Sequence, residues 1–147
     1  MKIRVVVGIS DGDYVSPLRW AISEFSSDAT SFELIHCIAG RLSTEMPYSN
    51  DVAIERGRQI VEQAVAFSRD LGASVVAEVR EGFAGEILVA RSKDVDHLVI
   101  GSPRIRQKFH TPRLSVVAHC VRHASCPVTI VPARDTTKVF GGFLHRT

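Results

Sequence analysis

The sequence predicts an α/β protein built on a doubly wound, five-stranded parallel sheet. Five short runs are rich in β-branched and other apolar residues without polar alternation, which is typical of strands buried on both faces. Between them, four segments repeat apolar residues every three or four positions, as amphipathic helices do. This alternation favours a parallel sheet, because each right-handed crossover needs a helix that covers one face.

The predicted strands are short and spread along the chain. They cover residues 3–9, 32–39, 74–80, 96–101 and 127–132. The first predicted helix follows the first strand, with the Ser16 hydroxyl capping free amides and Pro17 at the first helical position. Its buried stripe is formed by Leu18, Ala21, Ile22 and Phe25.

Three further helices are predicted between the later strands. Gly72 is expected to end the second helix, whose stripe is Ile60, Ala64, Phe67 and Leu71. The third and fourth helices are predicted over residues 83–91 and 114–124. Residues 40–51 are interpreted as a polar loop.

Length and composition fit one globular domain. The 147 residues include 45% apolar and 23% charged residues, which are ordinary values for a soluble protein. We assign residues 1–134 to a single domain and residues 135–147 to a C-terminal tail. The formal net charge of +2 is too small to indicate nucleic acid or a membrane surface as a partner.

The sequence favours a cytoplasmic location. The apolar part of its amino terminus is too short for a signal peptide, and no apolar run is long enough to cross a bilayer. Cys37, Cys120 and Cys126 lie in apolar runs without CxxC or Cys/His metal spacing. We expect them to be buried thiols in a reducing compartment.

A stretch without carboxylates lies between Asp96 and Asp135. Its basic residues are Arg104, Arg106, Lys108, Arg113, Arg122 and Arg134. Such a stretch is either a solvated basic face or a site for an anion.

Two loops at the carboxyl ends of strands form the candidate ligand site, because open α/β sheets bind ligands where the strand order reverses. Residues 10–13 supply short polar groups that can bond a ribose or the edge of a base. The second loop runs from Gly101 and Ser102 through the basic cluster to Ser115, where a helix start favours an anion. The alternatives are a plain turn at 10–13 and a plain helix cap at Ser115.

Residues 95–131 resemble the C-terminal half of universal stress proteins. The most specific pieces are Ser115-Val116, Val121-Arg122-His123-Ala124 and Cys126-Pro127-Val128. Weaker similarity at residues 18–21, 34–36 and 82–88 extends the resemblance over residues 3–133. The resemblance implies a Rossmann-like sheet of order 3-2-1-4-5, a dimer and, in one branch of the family, bound ATP.

The phosphate-binding motif of that branch is half missing. Gly101 and Ser115 match it, but Arg104 and Leu114 stand where it has glycines. Side chains at those positions crowd the close approach of the backbone to phosphate. The family's aspartate after the first strand is also displaced, since Ser10 falls in that region and Asp11 replaces it only if the loop shifts by one residue.

The resemblance implies a nucleotide site without catalytic residues. The candidate nucleotide-binding residues are Ser10, Asp11, Cys37, Gly101, Ser102, Arg104, Ser115 and Val116. We predict that ATP binding is weak or lost. Two ligands then remain: an adenine nucleotide with Mg²⁺, or another anion that the charges of residues 104–108 hold.

We therefore predict a regulatory binding module of the stress response rather than an enzyme. The alternatives are a slow adenine-nucleotide hydrolase, with Asp11 and Asp13 holding Mg²⁺, and a ligand-free dimeric scaffold. The absence of a lysine after a glycine-rich loop excludes ordinary P-loop chemistry.

His36 is predicted to be a packed, hydrogen-bonded histidine. His119 and His123 have a spacing compatible with metal, but no third ligand accompanies them, so no metal site is predicted.

The last strand is predicted to join two copies of the chain in a homodimer. In the order 3-2-1-4-5 it lies at an edge, and an uncovered apolar edge is an aggregation hazard. A two-fold axis would pair this strand with its copy and hide Val128 and Ile130. The competing interpretation is a monomer in which the apolar residues of the tail, Val139, Phe140, Phe143 and Leu144, cover the edge.

Overall fold

The computed structural model describes residues 2–10, 12–38, 50–102 and 115–133, which form an all-parallel sheet between two layers of helices. The elements in chain order are β1 (Ile3–Ile9), α1 (Val15–Glu24), β2 (Thr30–Ile38), α2 (Asn50–Asp70), β3 (Val75–Glu81), α3 (Ala84–Ser92), β4 (His97–Gly101), α4 (Val116–His123) and β5 (Val128–Val131). The strand order β3-β2-β1-β4-β5 confirms the predicted doubly wound architecture. The predicted strand bounds differ from these by at most two residues.

Part of the predicted site lies outside the described residues. This applies to Asp11, Arg104, Arg106, Lys108 and Leu114, to most of the predicted loop 40–51, and to the tail 135–147.

Both edges of β1 are paired, and both of its faces are covered. Residues 3–9 pair with residues 30–36 of β2, and Val5 to Val7 pair with residues 97–99 of β4. Because successive side chains of a strand point to opposite faces, Val5 and Val7 join one apolar cluster and Val6 joins the other. The first cluster lies under α1 and α2, and the second lies under α3 and α4.

The start of α1 differs from the prediction. The helix begins at Val15, and Ser16 does not cap it. Instead, the Asp13 carboxylate accepts a hydrogen bond from the Ser16 amide at 3.1 Å. Pro17 is the third helical residue, which is tolerated because the first amides of a helix have no partner within it.

The helix α2 begins earlier than predicted. Asn50 and Asp51, which were assigned to the loop, are helical. The predicted stripe is buried or half-buried at Ile60, Ala64 and Phe67. Leu71 lies beyond the helix and is 40% exposed, so its assignment to the stripe was wrong. Gly72 has a φ of +84°, a conformation that favours glycine after a helix.

The His97 ring is half-buried between α1 and β5. Its Nε2 lies 2.7 Å from Thr129 Oγ1, and its centroid lies 5.0 Å from that of Phe25 and 6.4 Å from that of Trp20. Loss of solvent lowers the pKa of His97 from its ordinary value of 6.5.

We expect this histidine to make stability depend on pH. In the window just below pH 6.5 the unfolded chain binds more protons at His97 than the folded chain does, so the free energy of unfolding decreases as the pH falls. His97→Gln keeps a donor for Thr129 and removes the titration, so the pH slope should become shallower. Urea unfolding at a series of pH values measures this slope. An unchanged slope in His97→Gln would show that other groups determine how the free energy of unfolding depends on pH in this range.

Candidate functional site

The described candidate residues lie at the carboxyl edge of the sheet. Ser10 follows β1, Cys37 is next to last in β2, and Gly101 ends β4. The register of β1 and β4, extended by two residues, places Ile9 beside Gly101. The chain runs outward from β1 to β2 on one side and to β4 on the other, so this edge is the topological switch point at which such sheets bind ligands.

The helix α4 adds its N-terminus to the same edge. It begins there because it connects the carboxyl end of β4 to the parallel strand β5. It packs beside α3, where a Cβ atom on Gly85 would lie 3.0 Å from the Cβ atom of His119. The Ser115 hydroxyl caps α4 by accepting a hydrogen bond from the Ala118 amide at 3.1 Å. The amides of Val116 and Val117 have no acceptor within the helix, and such a helix start attracts an anion.

A buried histidine fixes the end of β1. The Nδ1 atom of His36 lies 3.0 Å from the carbonyl oxygen of Ile9, and because a carbonyl only accepts, Nδ1–H donates. The ring is 7% exposed, which confirms the prediction of a packed, hydrogen-bonded histidine. Since Ser10 follows Ile9 directly, His36 also sets where the first site loop leaves the sheet. This role of His36 was not predicted from the sequence, although a polar residue inside an apolar strand was a signal for it.

The turn before α1 uses one of the two aspartates considered for Mg²⁺. One carboxylate oxygen of Asp13 is bonded to the Ser16 amide. This contact makes Asp13 a residue that positions α1 over the carboxyl edge, where Pro17 lies within 3.5 Å of the place that a Cβ atom on Gly101 would take.

The thiol of Cys37 is directed into the protein interior. It packs against the cluster that contains Ile35, Leu98 and Cys120. Burial raises the pKa of Cys37 to about 11, against the opposing effect of Arg80, and burial also raises the pKa of Cys120 to about 11. These thiols therefore stay protonated at neutral pH and are not nucleophiles. Cys120 is buried as predicted, whereas Cys37 and Cys126 are half-buried.

A groove of about 480 Å³ lies at the opposite, amino edge of the sheet. Its charged lining includes Glu33 and Arg91, whose side chains form an ion pair at 2.8 Å. Because these charges neutralise each other, the groove has no marked preference for an anion. The carboxyl edge remains the better candidate site.

Within the described ranges, no group of three or more His, Cys, Asp or Glu side chains could hold a metal ion. In the same part of the chain, no helix is both long enough and apolar enough to cross a membrane.

Comparison with known proteins identifies similar sequences and folds. The sequence model described as the universal stress protein family matches residues 1–132. Universal stress proteins from two strains of Mycobacterium tuberculosis are 26% identical over 133 residues, which are 88% of this chain. This match spans only 48% of those relatives, so the chain has about half their length.

Solved structures share the fold at low sequence identity. A universal stress protein from Archaeoglobus fulgidus in complex with dAMP has a TM-score of 0.64 and 20% identity, with 89% of this chain and 98% of that chain covered. A family protein from Arabidopsis thaliana with AMP bound has a TM-score of 0.63 and 19% identity, with 92% and 94% covered.

Replacing Ser115 with alanine should lower the free energy of unfolding by about 1 kcal/mol, because the Ala118 amide loses its acceptor. Ser115→Asp retains an acceptor for this amide, so its free energy of unfolding should decrease much less. Urea unfolding followed by circular dichroism measures both. Ser125→Ala is the matched control, since Ser125 bonds to Ser92 through its backbone amide, and an equal loss in that variant would contradict the capping assignment.

Proposed function

Because this chain belongs to the universal stress protein family, we propose that it is a regulatory binding module of the stress response whose ligand is an adenine mononucleotide. The observation that carries the proposal is the meeting of β1, β4 and the start of α4 at the switch point of the sheet. Relatives of the same fold hold AMP and dAMP, which are ligands with a single phosphate.

A single phosphate fits the chemistry of this edge better than a triphosphate does. The amides at the start of α4 offer one anion-binding position. A triphosphate needs a longer stretch of backbone in close contact, and Arg104 and Leu114 stand where the family's ATP-binding motif has glycines. The basic residues of the same stretch supply charge to neutralise one phosphate.

We propose binding without catalysis. The Asp13 carboxylate, one of two groups considered for Mg²⁺, already accepts the Ser16 amide. The thiols of Cys37 and Cys120 are held protonated by burial. Free cysteines of this kind also suit a reducing compartment, which supports a cytoplasmic location.

Calorimetry with AMP and with ATP plus Mg²⁺ tests the ligand. We expect AMP to bind more tightly than ATP, and ATP to bind with a Kd weaker than about 1 μM, equivalent to about 8 kcal/mol. Leu114→Gly removes crowding without removing charge, so it should strengthen ATP binding and leave AMP binding almost unchanged, which makes AMP the internal control. Mass spectrometry of the denatured, purified protein shows independently whether a nucleotide co-purifies.

Two outcomes would contradict this proposal. An ATP Kd at or below about 1 μM would show that the missing glycines do not crowd the triphosphate. Failure of both nucleotides to bind would favour the ligand-free scaffold.

Binding that depends on residues 104–108 should also weaken with salt, because exposed charges are screened within about 10 Å at 0.1 M.

We also propose a homodimer joined through β5. This strand is an edge of the sheet, and its outward Ile130 is 37% exposed. Antiparallel pairing of β5 with its copy would satisfy the open backbone groups and bury this side chain. Pro127 and Pro132 limit the pairing to a few residues, because neither can donate a hydrogen bond.

Ile130→Lys should convert the dimer to a folded monomer, because it places a charge in the paired strands and leaves unchanged Val128, which packs against the second apolar cluster. Sedimentation at micromolar concentration measures the change. The matched control is Val76→Lys on β3, the opposite edge strand, where Val76 is 67% exposed; it should leave the dimer intact. Dimerisation of a folded β5 variant would place the interface elsewhere.

A further inference from the structure

Two histidines on α4 lie close enough to act together. His119 and His123 are four residues apart, so their side chains share one face of the helix. The centroids of their rings are 4.7 Å apart and their planes are inclined by 50°. His119 is half-buried and His123 is exposed, so an ion in water can reach the pair.

This separation is the one that chelation requires. A metal–nitrogen bond of about 2.0–2.1 Å, with the ring radius added, places each imidazole centroid about 3 Å from a bound ion. Two imidazoles bound at adjacent positions of a tetrahedral or square-planar ion then have centroids about 4.5–5 Å apart. The centroid separation of His119 and His123 therefore lies within the range that binding of one ion by both rings requires.

The packing of α3 against α4 restricts one of the two rings. The edge of Phe83, at the start of α3, meets the His119 ring with centroids 5.2 Å apart and planes at 72°. The Cβ atom of His119 also sits against Gly85, where an added Cβ atom would lie only 3.0 Å away. A ring held in this way loses less conformational freedom when it binds an ion.

We propose that His119 and His123 form a two-histidine site for a divalent transition metal, with water completing the coordination. Neutral imidazole suits Zn²⁺, Ni²⁺ and Cu²⁺, and Cu²⁺ binds most tightly of these by the usual order of stability. The described residues supply no third ligand, so the site is open to water or to a further small ligand.

The thiols of the chain are poor competitors for the ion. A thiolate is the metal-binding form, and burial raises the pKa of Cys37 and of Cys120 to about 11. Burial raises the pKa of Cys126 as well. Loading with Zn²⁺ at neutral pH should therefore select the exposed imidazoles.

Calorimetric titration of the full chain with Zn²⁺ tests the site. We expect one ion per chain, and at least tenfold weaker binding in His119→Ala and in His123→Ala, because a single imidazole cannot chelate. Cu²⁺ should bind more tightly than Zn²⁺ in the same assay. Unchanged Zn²⁺ affinity in the folded double variant His119→Ala, His123→Ala would overturn the assignment.

A matched control separates the spacing from the number of histidines. Val121 is 61% exposed on the same helix, so Val121→His combined with His123→Ala keeps two histidines on α4 but sets them two residues apart, where they do not face each other. This variant should bind Zn²⁺ as weakly as His123→Ala alone. Native affinity in this variant would show that the i, i+4 geometry is not what binds the ion.

Discussion

The burial of the middle of β1 on both faces of the sheet is the constraint on which the rest of this structure depends. Val5, Val6 and Val7 are consecutive and almost inaccessible to solvent, and consecutive strand residues point to opposite faces. Both faces of the strand must therefore be covered, and both of its edges are paired. The chain satisfies this by winding outward from β1 in two directions, and the resulting reversal of strand order creates the switch point at the carboxyl edge.

Close contacts between helices and sheet then give this edge its shape. A Cβ atom on Gly8 would lie 3.0 Å from Leu88 and 3.2 Å from Ile100, so a glycine at this position lets α3 pack closely on β1. On the other face, the His36 ring lies against Gly57 of α2. These contacts hold α3 and α2 against the last residues of β1 and β2, next to the point where the polar loop residues begin.

The histidines show how surroundings assign different roles to one kind of side chain. His36 is buried and donates to a backbone carbonyl, so its role is structural. His97 bonds to Thr129 and is partly desolvated, which lowers its pKa. His119 and His123 lie on one face of a helix, half-buried and exposed respectively, where an ion from solution can reach the pair.

The sequence by itself determined the elements and their order along the chain. Hydrophobic periodicity is a local property, and it located the five strands and four helices of the described residues to within a few residues, while the resemblance supplied the strand order and with it the central strand. It assigned the start of α1 to Ser16, where the Asp13 carboxylate makes the bond instead, because both are capping residue types. It also placed Leu71 in a buried stripe, since periodicity does not show where a helix ends.

Only the tertiary structure decided which distant side chains meet. The bond from His36 to Ile9 joins residues 27 positions apart, and the contact of Phe83 with His119 depends on the packing of α3 against α4. The spacing of His119 and His123 was visible in the sequence, but the separation of their rings was not. Such contacts depend on the path of the whole chain, which local patterns of residues do not encode.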